Sequence, residues 1–156
     1  MPMHTTYLLL GSNLGDRDSL MQQALEALYE LGDITRISQR KETVPWGFTE
    51  TVPPFLNQAI CLETRLEPEQ LLDHCLEIEK KLGRERPVAE SPGKDRKSYF
   101  SRLIDIDILL YDNVRMNTGR LILPHPHIKD RDFARELLEE ILPKSLSLKD
   151  FLPDDL

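Results

Sequence analysis

Ile104-Asp105-Ile106-Asp107-Ile108 alternates an apolar residue with an acid, inside the clearest strand of the chain, Leu103 to Tyr111. Successive side chains of a strand point to opposite faces, so the isoleucines bury one face while Asp105 and Asp107 share the other. Neighbours on one face are ~6.5–7 Å apart along the strand, close enough for two carboxylates to converge on metal. Asp is a poor strand former, and two in one short strand need a reason. Hard oxygen ligands with no His or Cys nearby in sequence suit Mg²⁺ held together with substrate phosphates. The alternative is a half-exposed strand whose outer face carries two acids.

The rest of the chain supplies a sheet and helices for this strand to join. Thr6 to Leu10 reads as a first strand, ended by the turn-forming Gly11-Ser12-Asn13. A helix follows from about Arg17 to Leu31, with Leu20, Ala24, Leu28 and Leu31 on one face and Gly32 as its stop. Ile34 to Thr43 reads as a largely polar strand. Val44 to Pro54 is a loop with three prolines and the single tryptophan, and Phe55 to Thr64 is the next strand. Pro68 opens a second helix at the position where a missing N–H costs little. Its apolar stripe is Leu71, Cys75, Ile78 and Leu82, and Gly83 ends it. Arg84 to Ser101 shows no period and reads as a long loop, a length usually functional or disordered inside a compact domain. Leu121 to Leu123 is a short strand, and Asp130 is expected to cap a last helix with Phe133, Leu137 and Ile141 on one face. Hairpin-linked strands with intervening helices predict an α+β class, a ferredoxin-like sandwich with a largely antiparallel sheet flanked by helices. No repeat or linker divides the 156 residues, so 1–156 is expected to be one domain.

Charge narrows the partners. A formal net charge of −7 argues against nucleic acid and anionic membranes, because the overall field would repel both. No apolar run approaches the ~18–20 residues of a membrane span. Met1 to Thr6 lacks a basic segment followed by an apolar one, so no signal peptide is expected and cytoplasm is the default location. Cys61 and Cys75 read as two reduced core thiols. A monomeric chain is compatible with all of this.

The acidic total conceals a basic segment. Arg84, Arg86, Lys94, Arg96, Lys97 and Arg102 stand against only Glu85, Glu90 and Asp95, and Arg102 lies three residues before Asp105. Arginine forks grip phosphate oxygens bidentately, so Arg84, Arg86 and Arg102 beside a carboxylate pair favour a polyphosphate over a merely solvated loop. Trp46, Phe48, Phe55 and the amide of Asn57 could hold a flat heterocycle, though Trp46 and Phe55 could equally be core. His125 lies between prolines with no nucleophile setting around it, which suits a donor to phosphate. Gly11 to Gly15 lacks the spacing of a P-loop or a dinucleotide fingerprint and reads as a structural turn.

Together these motifs resemble the 6-hydroxymethyl-7,8-dihydropterin pyrophosphokinase family. The likeness rests on Arg102-Leu103-Ile104-Asp105-Ile106-Asp107-Ile108-Leu109-Leu110-Tyr111, on Leu121-Ile122-Leu123-Pro124-His125, and on Arg131 and Phe133. Gly-Ser-Asn-Leu-Gly at 11–15, Phe55-Leu56-Asn57 and Gly83-Arg84-Glu85-Arg86 follow the same order, and the likeness runs from about Tyr7 to Pro143. The resemblance implies a ferredoxin-like core and transfer of the diphosphate of ATP to the pterin hydroxymethyl oxygen, releasing AMP, in folate synthesis. It implies that Asp105 and Asp107 hold two Mg²⁺ ions bridging the ATP phosphates, and that Arg84 and Arg102 clamp the transferred group. Glu79, Arg86, Ile108 (through its backbone), Arg120, His125 and Arg131 match ATP-binding positions. Thr43, Val44, Trp46, Phe55, Asn57 and Phe133 match the pterin pocket, with Phe55 and Phe133 facing the ring. Two departures stand out. Many relatives carry an Arg-Trp pair in the catalytic loop, which this chain lacks, and Pro126 replaces an aromatic residue that some carry after the His.

Two other readings fit less well. A nucleotidyltransferase also pairs Gly-Ser with Asp-x-Asp, but close together in sequence, whereas here most of the domain intervenes. An RNA-binding module on the same kind of sheet would want a basic surface with paired aromatics, and two bare carboxylates would repel its ligand.

Overall fold

The long apolar strands dictate the centre of the molecule. The computed structural model describes residues 2–13, 15–43, 54–83, 104–148 and 151. Strand β1 (His4–Ser12) is nearly all buried and lies between β4 (Phe55–Thr64) and β5 (Asp105–Tyr111), antiparallel to both. Beyond β4 its far edge is shared by β2 (Gly32–Ile37) and β3 (Lys41–Thr43), giving the order β2-β4-β1-β5 with β3 also on β4. This is the antiparallel ferredoxin-like sheet expected from the sequence. A separate pair, β6 (Met116–Asn117) with β7 (Ile122–Leu123), stands outside it.

Helices cover both faces. One face carries Leu8, Leu10, Ile60, Leu62, Ile106 and Ile108, in one core cluster with residues of α1 (Arg17–Tyr29) and α2 (Pro68–Gly83). The other carries Tyr7, Leu9, Ala59, Cys61 and Leu109, packed with Leu137, Leu138 and Ile141 of α3 (Asp132–Ile141). Both cysteines are buried free thiols, as expected, and burial pushes the Cys75 thiol up to about 12.

Local chemistry moved several boundaries. β1 runs through Gly11 and Ser12 instead of turning there; the chain turns at Gly15, whose positive φ of 66° glycine adopts without penalty. The Asp16 side chain then accepts the Ser19 amide and caps α1. Helix α1 buries Met21, Ala24, Leu25 and Leu28, and Leu31 falls past its end. Gly32 opens β2 rather than merely stopping the helix. The strand expected over Ile34 to Thr43 is two strands. The register on β4 shifts between Ile34 and Arg36, and the buried Ser38 hydroxyl accepts the Ala59 amide where the ladder is interrupted. Asp130 does not cap α3; Arg131 occupies the N-cap without a side-chain bond. Arg135 instead secures the entry to α3, donating to the carbonyls of Ile128 and Lys129 at 2.8 and 2.6 Å.

Candidate active site

The two acids owe their placement to an irregularity. Tyr7 pairs with Leu110 but Leu8 pairs with Ile108, so Leu109 is an extra residue in β5, a β-bulge. A one-residue shift exchanges the faces of everything beyond it. Leu109 and Leu110 therefore both join the α3-side cluster, and Asp107 and Asp105 fall on that same side while Ile104, Ile106 and Ile108 stay buried under α1 and α2. Asp107 lies opposite Leu9, and Asp105 opposite Gly11.

Helix α3 then crosses this face obliquely. Arg131, at its start, lies 3.8 Å from Asp107; Glu136 meets Lys41 at 2.8 Å, and Glu140 accepts the Gln39 amide at 2.6 Å. Phe133, in the first turn, packs half-buried against the α3-side core. The register brings Lys41, Asn57, Gly11 and Asp105 into one row across four strands. Asn57 is buried, and its Nδ2 donates to Thr43 Oγ1 at 2.7 Å and to the Lys41 carbonyl at 3.2 Å. Those bonds orient the amide and leave its Oδ1 toward Gly11.

A second recess flanks the outer edge of β5. It encloses about 310 Å³, with apolar walls from Leu72, Leu121 and Ile122 and a polar side from Asp107, Arg120 and His125. The Arg120 guanidinium is gripped by Glu69 at 3.1 Å and Asp73 at 2.5 Å, both on α2. Glu79 accepts the Ile106 amide at 2.6 Å, tying α2 to the strand that carries the acids. The His125 amide donates to the Leu109 carbonyl at 2.9 Å, anchoring the Pro-His segment at the bulge. His127 lines the same recess, and its amide donates to His125 Nδ1 at 3.1 Å.

That bond fixes the chemistry of His125. With Nδ1 accepting, Nε2 carries the proton and donates. Burial, then the nearby Arg131 guanidinium and His127, push its pKa down from 6.5 to about 4, so the ring is neutral at physiological pH. The unfolded chain takes up a proton between pH 6.5 and 4 that the folded chain refuses, so this residue lowers stability as pH falls through that window. Above pH 6.5 both states are neutral and its effect vanishes. Urea midpoints at pH 4.5 and 7.5 should therefore differ less in His125→Gln than in the parent.

The sequence-derived candidates divide cleanly. Thr43, Phe55, Asn57, Asp105 and Phe133 gather on the α3 face, and Ile108, Arg120 and His125 at the edge recess, with Asp107 and Arg131 at the boundary. Arg84, Arg86, Arg102, Val44 and Trp46 lie outside the described residues. Sequence reasoning did not single out His127, which lines the recess; Gly11 read as a turn residue, and only strand pairing sets it between Asn57 and Asp105. The sequence separation that counted against a nucleotidyltransferase also vanishes in space, since Gly11 pairs directly with Asp105.

Comparison with known proteins decides the family. The model for 7,8-dihydro-6-hydroxymethylpterin-pyrophosphokinase (HPPK) matches residues 7–143. This chain belongs to the HPPK family. A 2-amino-4-hydroxy-6-hydroxymethyldihydropteridine pyrophosphokinase of Porphyromonas gingivalis is 43% identical over 143 residues, covering 90% of this chain and 92% of the relative. That of Aquifex aeolicus is 40% identical, covering 98% and 93%. Among solved structures, an HPPK-DHPS in complex with substrates superposes with a TM-score of 0.68 at 15% identity, covering 95% of this chain and 41% of that one. The wild-type Plasmodium falciparum HPPK-DHPS with SDX-DHP gives 0.63 at 16% identity, covering 98% and 41%. This HPPK-family chain thus spans about two fifths of those chains, and at such identity they support the fold. As an HPPK the chain is an ATP-dependent pyrophosphokinase, transferring diphosphate from ATP to hydroxymethyldihydropterin in folate biosynthesis.

Proposed function

We propose that the edge recess takes ATP, that the α3 face takes the pterin, and that Asp105 and Asp107 stand between them as the metal-binding pair. The observation that carries this is the placement of the acids: Asp107 lines the recess, while Asp105 ends the row that runs through Asn57 and Gly11. Two half-exposed carboxylates, with no cluster of three or more potential ligands among the described residues, suit Mg²⁺, which keeps water and substrate phosphates among its ligands. When bound, two such ions would neutralise charge on the phosphates and on the attacking oxygen.

The chain's own groups do the rest. Leu72, Leu121 and Ile122 offer the adenine an apolar wall, and the edge backbone at Ile108 offers it hydrogen bonds. His125 donates one neutral N–H to phosphate, and Arg131 and Arg120 supply guanidinium charge once phosphates compete with their carboxylate partners. Glu79 steadies β5 through the Ile106 amide. Arg84 and Arg102 are assigned to the transferred diphosphate by motif, and Arg86 to ATP. The pterin ring lies between Phe55 and Phe133, with Asn57 and Thr43 at one edge, and Val44 and Trp46 are assigned to the same pocket by motif. Its hydroxymethyl oxygen then faces the acids, attacks the β-phosphorus, and loses its proton as AMP leaves. We assign the enzyme to the cytoplasm, acting as a monomer; among the described residues no helix is long and apolar enough to cross a membrane.

Incubation with ATP, Mg²⁺ and 6-hydroxymethyl-7,8-dihydropterin tests this reading. AMP is the expected nucleotide product, and excess EDTA should stop its formation. ADP as product, or undiminished turnover in EDTA, would overturn it.

A further inference from the structure

Past the end of α3, the same face of the sheet keeps a second cavity, of about 340 Å³. Two neighbouring rows of the register lay its floor. One runs from Arg36 through Cys61 to Tyr7, across β2, β4 and β1. The next joins Glu63 to Thr5, with Asp112 beyond, its amide donating to the Thr5 carbonyl at 2.7 Å. Arg36 reaches this face through a bulge. Ile34 pairs with Leu62 but Arg36 pairs with Cys61, so Thr35 is an extra residue in β2. Ile34 therefore packs toward α1 and α2, while Arg36, two residues on, turns to the opposite side. Tyr7 and Cys61 are buried, and burial raises both the phenol and the thiol, so each keeps its proton at neutral pH. The walls are apolar: Pro143, Leu146 and Phe151, whose ring meets Tyr7 edge-on at 6.2 Å.

The charges at the lip select the ligand. Asp112 is already engaged, accepting the Thr5 amide and bonding His4 Nδ1, each at 2.8 Å. Arg36, exposed, and Glu63, half-buried, form no ion pair among the described residues, though diagonal neighbours on adjacent strands lie ~7–8 Å apart. A simple anion at Arg36 would meet Glu63, and a simple cation at Glu63 would meet Arg36. A small zwitterion satisfies both. The volume lies near the lower end for small-molecule pockets, ~300 Å³, which excludes a polymer, and the aromatic and aliphatic walls call for a ring. We propose that this cavity is a second ligand site, taking a free aromatic amino acid: carboxylate on Arg36, ammonium on Glu63, ring against Phe151, Leu146 and Pro143. Thr5 lies six residues before Gly11, ~20 Å along β1, so the ligand overlaps neither the acids nor the row that ends on them.

Titration of the parent protein with L-phenylalanine and with L-tryptophan, followed by ¹⁵N NMR, tests this. One saturable site is expected for at least one of them, and a saturating non-hydrolysable ATP analogue should leave its affinity within twofold. Arg36→Gln and Glu63→Gln should each weaken binding about tenfold or more, as the loss of a charged hydrogen bond does, with AMP formation unchanged. On the ligand side, phenylalaninamide, which lacks the carboxylate, and L-alanine, which lacks the ring, should bind the parent about tenfold more weakly or worse. Those two probes need no variant, so a loss of folding in either substitution cannot mask the answer. The absence of saturable binding of both aromatic amino acids up to ~10 mM would overturn the proposal. So would equal affinity for phenylalanine and its amide, or displacement by the ATP analogue, which would place the amino acid in the edge recess.

Discussion

Asp107→Asn is expected to lower kcat by ~10³-fold while the protein remains folded. The size follows from the charge involved. A carboxylate that holds catalytic metal on transferring phosphates contributes several kcal/mol to transition-state stabilisation, and each 1.36 kcal/mol is tenfold in rate. Its contribution to folding is small by comparison. Asp107 is a partly exposed residue 3.8 Å from Arg131, and exposed pairs of this kind are worth ~0–1 kcal/mol. A large loss of rate with little change in melting temperature is therefore the signature of the proposed role, read by steady-state kinetics beside thermal melting. Activity within tenfold of the parent would mean that Asp107 is a solvated acid on an edge strand.

Asn57→Ala should raise KM for the pterin ~10–100-fold and leave KM for ATP unchanged. A lost hydrogen bond in a buried site costs ~1–3 kcal/mol, which spans that range. Some stability should go too, since Asn57 is buried and its Nδ2 holds Thr43 Oγ1 and the Lys41 carbonyl. The division between substrates is what separates recognition from general damage. Substrate-saturation curves measured at a temperature where both proteins are fully folded provide the check. Equal rises in both KM values would place Asn57 outside the pterin site.

Much of this was legible in the chain. Alternation of Asp105 and Asp107 with isoleucines located the acids, and the stripe Leu71, Cys75, Ile78 gave α2 nearly to the residue. The illegible features are those that two strands make jointly. Leu109-Leu110 looks like ordinary strand sequence, yet the bulge there decides which face of the sheet carries the acids. Gly11 looked like the start of a turn because glycine is the usual turn residue, and only its pairing with Asn57 and Asp105 gives it another meaning. Asp130 had the chemistry of a helix cap, but its Oδ2 lies 3.3 Å from His127 Nδ1 while tertiary packing of Leu137, Leu138 and Ile141 fixes α3 without it. Local propensity lost to tertiary contacts in each case.

The central claim is that the α3 face delivers the pterin hydroxymethyl oxygen to the β-phosphorus of ATP bound at the edge of β5. Pterin carrying ¹⁸O in its hydroxymethyl group reports this directly when the products are examined by ³¹P NMR. The label should appear in the bridge between carbon and the proximal phosphorus of the pterin diphosphate, with AMP unlabelled. Label in AMP, or a pterin product carrying a single phosphate, would contradict it.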